Sequence, residues 1–133
     1  MRTLAILTLL VVTTTANAAY RFAFGGCNFQ RLGQTHWNTI AAEKPKLWIW
    51  NGDMIYADGS TIATRRQEYD HLRNNKFYAA FRTAVSIVGV WDDHDFNANN
   101  SSGSFKDKVE SQRAALDFLD EPAGSVRRKQ EGI

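Results

Sequence analysis

Four kinds of metal-ligating side chain follow three short apolar segments of the sequence. Cys27 follows the first segment, Asp53 and Tyr56 follow the second, and the run Asp92-Asp93-His94-Asp95 follows the third. Thiolate, carboxylate, phenolate and imidazole groups together are typical of a metal site, and this mixture suits a trivalent or borderline ion. The carboxylates could share a second, harder cation. The residue types therefore predict a metal centre, provided that the fold brings the three segments together.

The acidic run after the third segment is the strongest local signal. Its three carboxylates flank one imidazole, and their mutual repulsion raises the pKa of some of them unless a cation binds. A solvated acidic loop is the alternative, but the run directly follows an apolar segment that ends in Trp91, which favours a functional site. The asparagines that come next are either further oxygen ligands or ordinary loop residues: Asn97, Asn99 and Asn100.

The other candidate ligands have structural alternatives. Asn51-Gly52-Asp53 is also typical of a turn, but Tyr56 lies close enough in sequence for both side chains to reach one ion. Tyr56 could equally pack at the edge of a sheet. Cys27 is a metal thiolate, a small buried hydrophobe, or the nucleophile of a hydrolase that also uses a histidine. The last interpretation is the weakest, because it leaves Asp53 and Tyr56 without a role.

Two histidines and one basic stretch are interpreted as structural. His36 and His71 fall within helical patterns, each beside a large apolar residue. The stretch Arg127-Arg128-Lys129 is either a solvated helix face or a patch that faces phosphate, and the solvated face is the favoured alternative.

The elements that must position the candidate ligands are three strands and three helices. The apolar segments predict strands at residues 20–25, 47–50 and 86–91. Helical spacing predicts helices over residues 34–43, 64–84 and 106–119. The order β-α-β-α-β-α predicts an α/β fold with a largely parallel sheet. Because ligands bind beyond the carboxyl ends of such strands, the candidate ligands are expected at one rim. Continuous apolar strands are typical of a sheet that is covered on both faces.

Length and composition limit the class of protein. The 133 residues suffice for one domain. Residues 1–18 have the pattern of a secretory signal peptide that is cleaved after Ala18, so a secreted or periplasmic location is expected. The apolar run at residues 4–12 is too short to span a bilayer, so no membrane anchor is expected.

The remaining composition excludes three further classes. Of the 16 basic and 14 acidic residues only Arg2 lies in the leader, so the mature chain is almost neutral and is not an obvious nucleic-acid binder. A hydrophobic content of 44%, with 12% aromatic residues, argues against disorder. Because Cys27 is the only cysteine, a disulfide-stapled miniprotein is excluded.

Residues 19–133 resemble the N-terminal part of the catalytic domain of the alkaline phosphatase D (PhoD-like) family of metallophosphatases. The matching motifs are FGGCN at residues 24–28, LWIWNGDMIYAD at 47–58 and WDDHDF at 91–96. Two later segments, at residues 108–119 and 122–133, also resemble the family. The sequence departs from the usual pattern at Gly26, where serine is more common, and at Asn51, where leucine is frequent.

The resemblance implies a fold and a set of site residues. The family's domain is a two-sheet sandwich flanked by helices, of which this chain would form the first half. Cys27, Asp53 and Tyr56 would bind Fe³⁺, and Asp53 would bridge to a second metal, Ca²⁺ in this family, with other divalent metals as the alternative. Asp93 would be a further ligand. His94 would contact the phosphoryl oxygens or protonate the leaving group, and Asp92 is the second candidate catalytic residue.

The expected function is that of an exported, metal-dependent phosphoester hydrolase. Its cations would lower the pKa of a bound water that attacks a phosphomonoester or phosphodiester. The family's remaining metal ligands lie in its second half, so a complementing C-terminal half is an expected partner, and a sheet face or edge is expected to be exposed. The alternative is a truncated remnant that is inactive or binds metal weakly.

Overall fold

The computed structural model describes residues 19–132, and the predicted leader, residues 1–18, lies outside the described residues. The centre of the fold is a parallel sheet of three strands in the order β1 (Phe22–Gly25), β2 (Leu47–Asn51) and β3 (Ser86–Val90). Phe24, Ile49 and Val88 are aligned across it. The three predicted strands, the parallel sheet and the α/β class are confirmed.

Helices connect the strands and follow the last of them. Helix α1 (His36–Ala42) joins β1 to β2, and α2 (Ile62–Arg73) and α3 (Lys76–Ala84) join β2 to β3. After β3 come the short α4 (Asp93–Phe96), α5 (Lys108–Phe118) and a 3₁₀-helix (Val126–Arg128). Helices α1 and α5 lie within the ranges predicted for them.

The single helix predicted over residues 64–84 is wrong, because the chain forms two helices there. Oδ1 of Asn75 accepts a hydrogen bond from the backbone N–H of Phe77 at 3.0 Å and caps α3. Asparagine is among the best N-cap residues because its short side chain reaches the free N–H groups of the first turn. The cap therefore starts a new helix within a continuous apolar pattern.

Aromatic residues form the core between the sheet and its helices. Trp37 of α1 packs edge-on against Trp48 and Trp50 of β2, with ring centroids 5.1 and 5.3 Å apart. Tyr78 and Phe81 of α3 complete this cluster, and each of the five residues is at most 5% exposed. Such pairs add specific geometry to a large apolar burial.

The opposite face of the sheet is open in residues 19–132. Phe22 and Phe24 are 58% and 65% exposed there, and Val88 is 42% exposed. The expectation of a sheet covered on both faces is therefore not met within the described residues, whereas the expected exposed face is present. Among the helices of these residues, none has the length and apolar character needed to cross a bilayer.

Candidate metal centre

Two glycines bring the three strand-end loops into contact. A Cβ atom on Gly26 would lie 2.6 Å from the carbonyl oxygen of Gly52. A Cβ atom on Gly52, whose φ is +98°, would lie 2.4 Å from Cβ of Asp92. Real Cβ atoms do not approach other atoms so closely, so both positions require glycine. Gly26 allows the loop after β1 to touch the loop after β2, and Gly52 allows the loop after β2 to touch the start of α4.

Asp53 lies at the centre of this junction. Its Oδ2 accepts hydrogen bonds from the hydroxyl of Tyr56 at 3.1 Å and from Sγ of Cys27 at 3.5 Å. The Asp53 side chain is buried, and within residues 19–132 its Oδ1 has no hydrogen-bond partner. The structure thus brings together the three residues that the resemblance assigns to one ion.

The backbone at two of these residues is in the left-handed region. Cys27 has a φ of +54° and Asp53 a φ of +50°, although neither is a glycine. Such conformations are uncommon for residues with a Cβ atom and cluster at functional sites. Both residues directly follow a glycine at the carboxyl end of a strand, so the turn aims their side chains towards each other.

A metal ion fits this set of donors. Asp53, Asp93 and His94 each offer a ligand atom, and these atoms lie within 4.8 Å of one another. A buried carboxylate oxygen without a hydrogen bond is costly, and a cation beside Oδ1 of Asp53 would remove that cost. Thiolate, phenolate, carboxylate and imidazole are chemically suited to Fe³⁺, and the carboxylates also suit Ca²⁺.

The phenol of Tyr56 is protonated in the surroundings that the protein alone provides. Burial, and the hydrogen bonds with Cys27 and Asp53, raise the pKa of Tyr56 well above its usual value. A bound cation reverses this preference, because the largest local charge at a site then favours the anionic ligand. Coordination of Tyr56 would therefore release a proton.

His94 is held by a residue that was not among the candidate site residues. Its Nδ1 lies 2.6 Å from Oδ1 of Asp58, and its ring centroid lies 4.1 Å from that of Tyr56. Although partial burial lowers the pKa of His94, the carboxylates of Asp58, Asp53 and Asp93 raise it overall. The signal in the sequence was a further carboxylate at the end of the motif that contains Asp53 and Tyr56.

The acidic run divides into residues with different surroundings. Asp93 and His94 place ligand atoms close to that of Asp53. Asp92 instead caps α4 and accepts a hydrogen bond from the backbone N–H of Asp93 at 2.8 Å. Asp95 is fully buried and lies outside the group of donor atoms around Asp53. All four residues lie at the expected rim, but of these four only Asp93 and His94 join Asp53 in the group of donor atoms within residues 19–132.

Asp95 ties the loops together from the inside. Its carboxylate accepts from the backbone N–H groups of Met54 at 3.0 Å, Ile55 at 3.3 Å and Asp92 at 3.1 Å, and from the hydroxyl of Tyr69 at 3.0 Å. Burial raises the pKa of Asp95 to about 7, although these hydrogen bonds oppose the shift. The chain after β2 is thus fixed to the start of α4.

The asparagines after the acidic run serve the site mainly through backbone groups. The backbone N–H of Asn100 donates to Oδ2 of Asp93, and that of Asn99 donates to Oδ2 of Asp58 at 3.4 Å. The side chain of Asn97 donates to the hydroxyl of Ser101 at 3.1 Å. This segment therefore wraps around the two carboxylates.

The residues interpreted as structural are not among the donor atoms grouped around Asp53, although His36 lines a pocket together with Cys27. His36 and His71 are exposed on α1 and α2. Arg127 pairs with Glu121 at 2.7 Å, and Arg128 pairs with Asp117 at 2.8 Å. The ion pairs of the two arginines favour a structural role for the basic stretch over phosphate binding.

A cleft of about 420 Å³ opens beside Asp93. Trp91, Phe96 and Val109 form its apolar wall, and Lys108 contributes a positive charge. This volume is in the range of small-molecule sites, which combine apolar walls with a few polar groups.

Comparisons with models of protein families, with curated protein sequences and with solved structures give no match for this chain.

Proposed function

We propose that the protein is an exported, metal-dependent phosphoester hydrolase of the alkaline phosphatase D type. Two observations on Asp53 carry this proposal: its buried Oδ1 has no hydrogen-bond partner among residues 19–132, and one of its carboxylate oxygens lies within 4.8 Å of donor atoms of Asp93 and His94. Cys27, Asp53 and Tyr56 would hold Fe³⁺, and Asp53 and Asp93 would hold Ca²⁺. The assignment of the ions rests on the resemblance of the three motifs.

The proposed architecture is the first half of a two-sheet sandwich. The support for it is the open face of the sheet, on which Phe22, Phe24 and Val88 are exposed. Monomeric proteins rarely leave such apolar patches uncovered. A second sheet on this face would bury the patch and would bring further ligands to the rim.

The chemistry follows from how the residues are placed. When bound, the metal ions would lower the pKa of a water molecule and neutralise charge on the phosphoryl oxygens. His94, which is held at Nδ1 by Asp58, presents its other ring nitrogen 4.0 Å from Oδ1 of Asp93. From there it would donate a proton to the leaving oxygen. Asp92 would keep the start of α4, and hence His94, in place through its cap.

The cleft beside Asp93 would receive the organic part of the ester. Its apolar wall suits an aryl or alkyl group, whereas Lys108 lies 3.9 Å from the carboxylate of Glu131, which also lines the cleft. A substrate that lies there would place its phosphoryl group towards Asp93. The chemical class of the substrate, a phosphomonoester or phosphodiester, rests on the resemblance of the three motifs.

A metal-binding piece without hydrolase activity is the second candidate function. The observation in its favour is that the close cluster in residues 19–132 comprises only Asp53, Asp93 and His94. Two-metal sites need more ligands than this. On this alternative, the chain retains metal but turns over no ester until a second half supplies the rest.

The decisive experiment measures turnover and metal content in the same samples. The full chain is supplied with Fe³⁺ and Ca²⁺, and hydrolysis of p-nitrophenyl phosphate and bis-p-nitrophenyl phosphate is followed. We expect Asp53→Ala to abolish both metal retention and turnover. Asp70→Ala, which changes an exposed carboxylate on α2, is the matched control. Turnover that survives Asp53→Ala would reject the site, and metal retention without turnover would favour the second candidate.

A further inference from the structure

Gln30 binds both backbone polar groups of Tyr56. Its Oε1 accepts from the N–H of Tyr56 at 2.9 Å, and its Nε2 donates to the carbonyl oxygen of Tyr56 at 2.9 Å. Tyr56 lies outside every helix and strand, so no regular ladder fixes its backbone. The buried amide of Gln30, which is 1% exposed, thus takes the place of a neighbouring strand.

Glu68 of α2 determines which way the Gln30 amide points. Nε2 of Gln30 also donates to Oε2 of Glu68 at 2.9 Å. An ionised carboxylate can only accept, so the nitrogen of the amide must face Glu68 and the oxygen must face the N–H of Tyr56.

Arg31 keeps that carboxylate ionised. Nε of Arg31 donates to Oε2 of Glu68 at 3.0 Å, and Nη2 of Arg31 donates to Oε1 of the same carboxylate. These contacts, with the bond from Gln30, lower the pKa of Glu68 despite the opposing effect of burial. The orientation of the Gln30 amide is therefore fixed by a chain of charged and polar contacts.

The segment that contains Gln30 also contacts the ring of Tyr56. Phe29 stacks on that ring, with centroids 5.4 Å apart. At the other end of the ring, the hydroxyl of Tyr56 meets Oδ2 of Asp53 at 3.1 Å. The backbone and the ring of Tyr56 are thus held by two adjacent residues, while its oxygen faces the candidate metal centre.

We infer that Gln30 is a positioning residue for Tyr56, which it holds so that the phenol oxygen meets the metal ligand Asp53. This inference rests on the proposed metal centre. Outer partners of this kind orient metal ligands, and their loss typically lowers metal affinity about 10- to 100-fold. Glu68 acts one step further away, through the orientation of the Gln30 amide.

The first test uses the full chain without metal. The amide proton of Tyr56 should exchange slowly with solvent, although it belongs to no helix or strand, because Gln30 accepts its hydrogen bond. Exchange at the rate of an unprotected amide would overturn the inference without any substitution. This measurement is independent of the proposed function.

The second test uses ferric nitrilotriacetate as the probe. A phenolate bound to Fe³⁺ gives a charge-transfer absorption in the visible, and Tyr56→Phe should abolish it. Gln30→Met keeps the length of the side chain but removes its hydrogen bonds, so it should weaken ferric affinity about 10- to 100-fold and shift this absorption. Gln112→Met is the matched control, because Gln112 is also buried and its amide donates to the carbonyl oxygens of Arg127, Gln130 and Gly132 instead of contacting Tyr56 or Phe29.

The outcomes distinguish a failure of the proposed ferric site from a failure of the positioning role of Gln30. No Tyr56-dependent absorption in the unsubstituted chain would contradict the proposed ferric site. An absorption that is present and unchanged in folded Gln30→Met, at unchanged ferric affinity, would overturn the positioning role alone. If Gln30→Met does not fold, two other measurements decide whether Gln30 positions Tyr56: the ferric affinity of Glu68→Gln and the exchange rate of the Tyr56 amide. Both report on the contact between Gln30 and Tyr56.

Discussion

The hydroxyl of Tyr56 donates to Oδ2 of Asp53 across 3.1 Å, while Oδ1 of the same carboxylate is buried without a partner in residues 19–132. One oxygen of Asp53 is thus used by its own loop and the other is available to a ligand. If Tyr56 lost its proton on metal binding, Oδ2 of Asp53 would no longer accept this hydrogen bond and would also be free for a cation. This arrangement is the core of the proposed site.

Gly52→Ala should disrupt the junction of the loops. The added Cβ atom would lie 2.4 Å from Cβ of Asp92, and the φ of +98° is itself unfavourable for alanine. Gly59→Ala is the matched control, because Gly59 has a φ of +63° and no heavy atom within 4 Å. We expect the control to lose about 1–2 kcal/mol of unfolding free energy and Gly52→Ala to lose clearly more. Equal losses in urea unfolding would contradict the close contact.

Asp95→Asn should lower stability and loosen the centre. An asparagine would turn an NH₂ group towards at least one of the N–H donors that now bind the carboxylate, at a cost of about 1–3 kcal/mol. Tyr69→Phe is the milder comparison, because it removes only the hydroxyl donor and leaves the three backbone donors bound. Urea unfolding checks both variants. A larger loss for Tyr69→Phe than for Asp95→Asn would show that Asp95 does not tie the loops together.

The fold of the sheet could be predicted from the sequence, but several features of the site could not. Short apolar segments before Cys27, Asp53 and Asp92, with helical patterns between them, predicted parallel strands. Because ligands bind beyond the carboxyl ends of such strands, these residues were expected to lie close together. The break at Asn75 was missed because apolar periodicity does not show which residue caps a helix. The inward direction of Asp95 depends on one turn of α4 that only the folded chain reveals. The contacts of Asp58 with His94 and of Gln30 with Tyr56 join residues that are far apart in sequence.

Stability at acid pH should depend on Glu68. Because its folded pKa lies below the ordinary value of 4.5, the ionised form contributes stability at pH values above the unfolded pKa. That contribution is lost as the pH falls through the folded pKa. Glu68→Gln should therefore flatten the acid side of the stability profile below about pH 4.5. Glu43→Gln, at an exposed position 3.9 Å from Arg21, is the control, and an unchanged acid profile in Glu68→Gln would contradict the prediction.

The two faces of the sheet should respond differently to truncation. Phe81→Ala removes a core ring and should cost about 3–5 kcal/mol of unfolding free energy. Phe24→Ala changes a residue that is 65% exposed, so a loss within about 0.5 kcal/mol is expected. Thermal and urea unfolding compare the pair. A loss at Phe24 as large as that at Phe81 would mean that the open face is covered in the protein in solution.

Calorimetric titration of a metal ion into the full chain is the sharpest test of whether the three loops share a cation. The variant Asp53→Asn is compared with Asp70→Asn. We expect the unsubstituted chain and Asp70→Asn to bind the ion alike, and Asp53→Asn to fold but to lose the binding heat. Binding of equal affinity and stoichiometry in Asp53→Asn would contradict the proposal that the three loops meet around a metal ion.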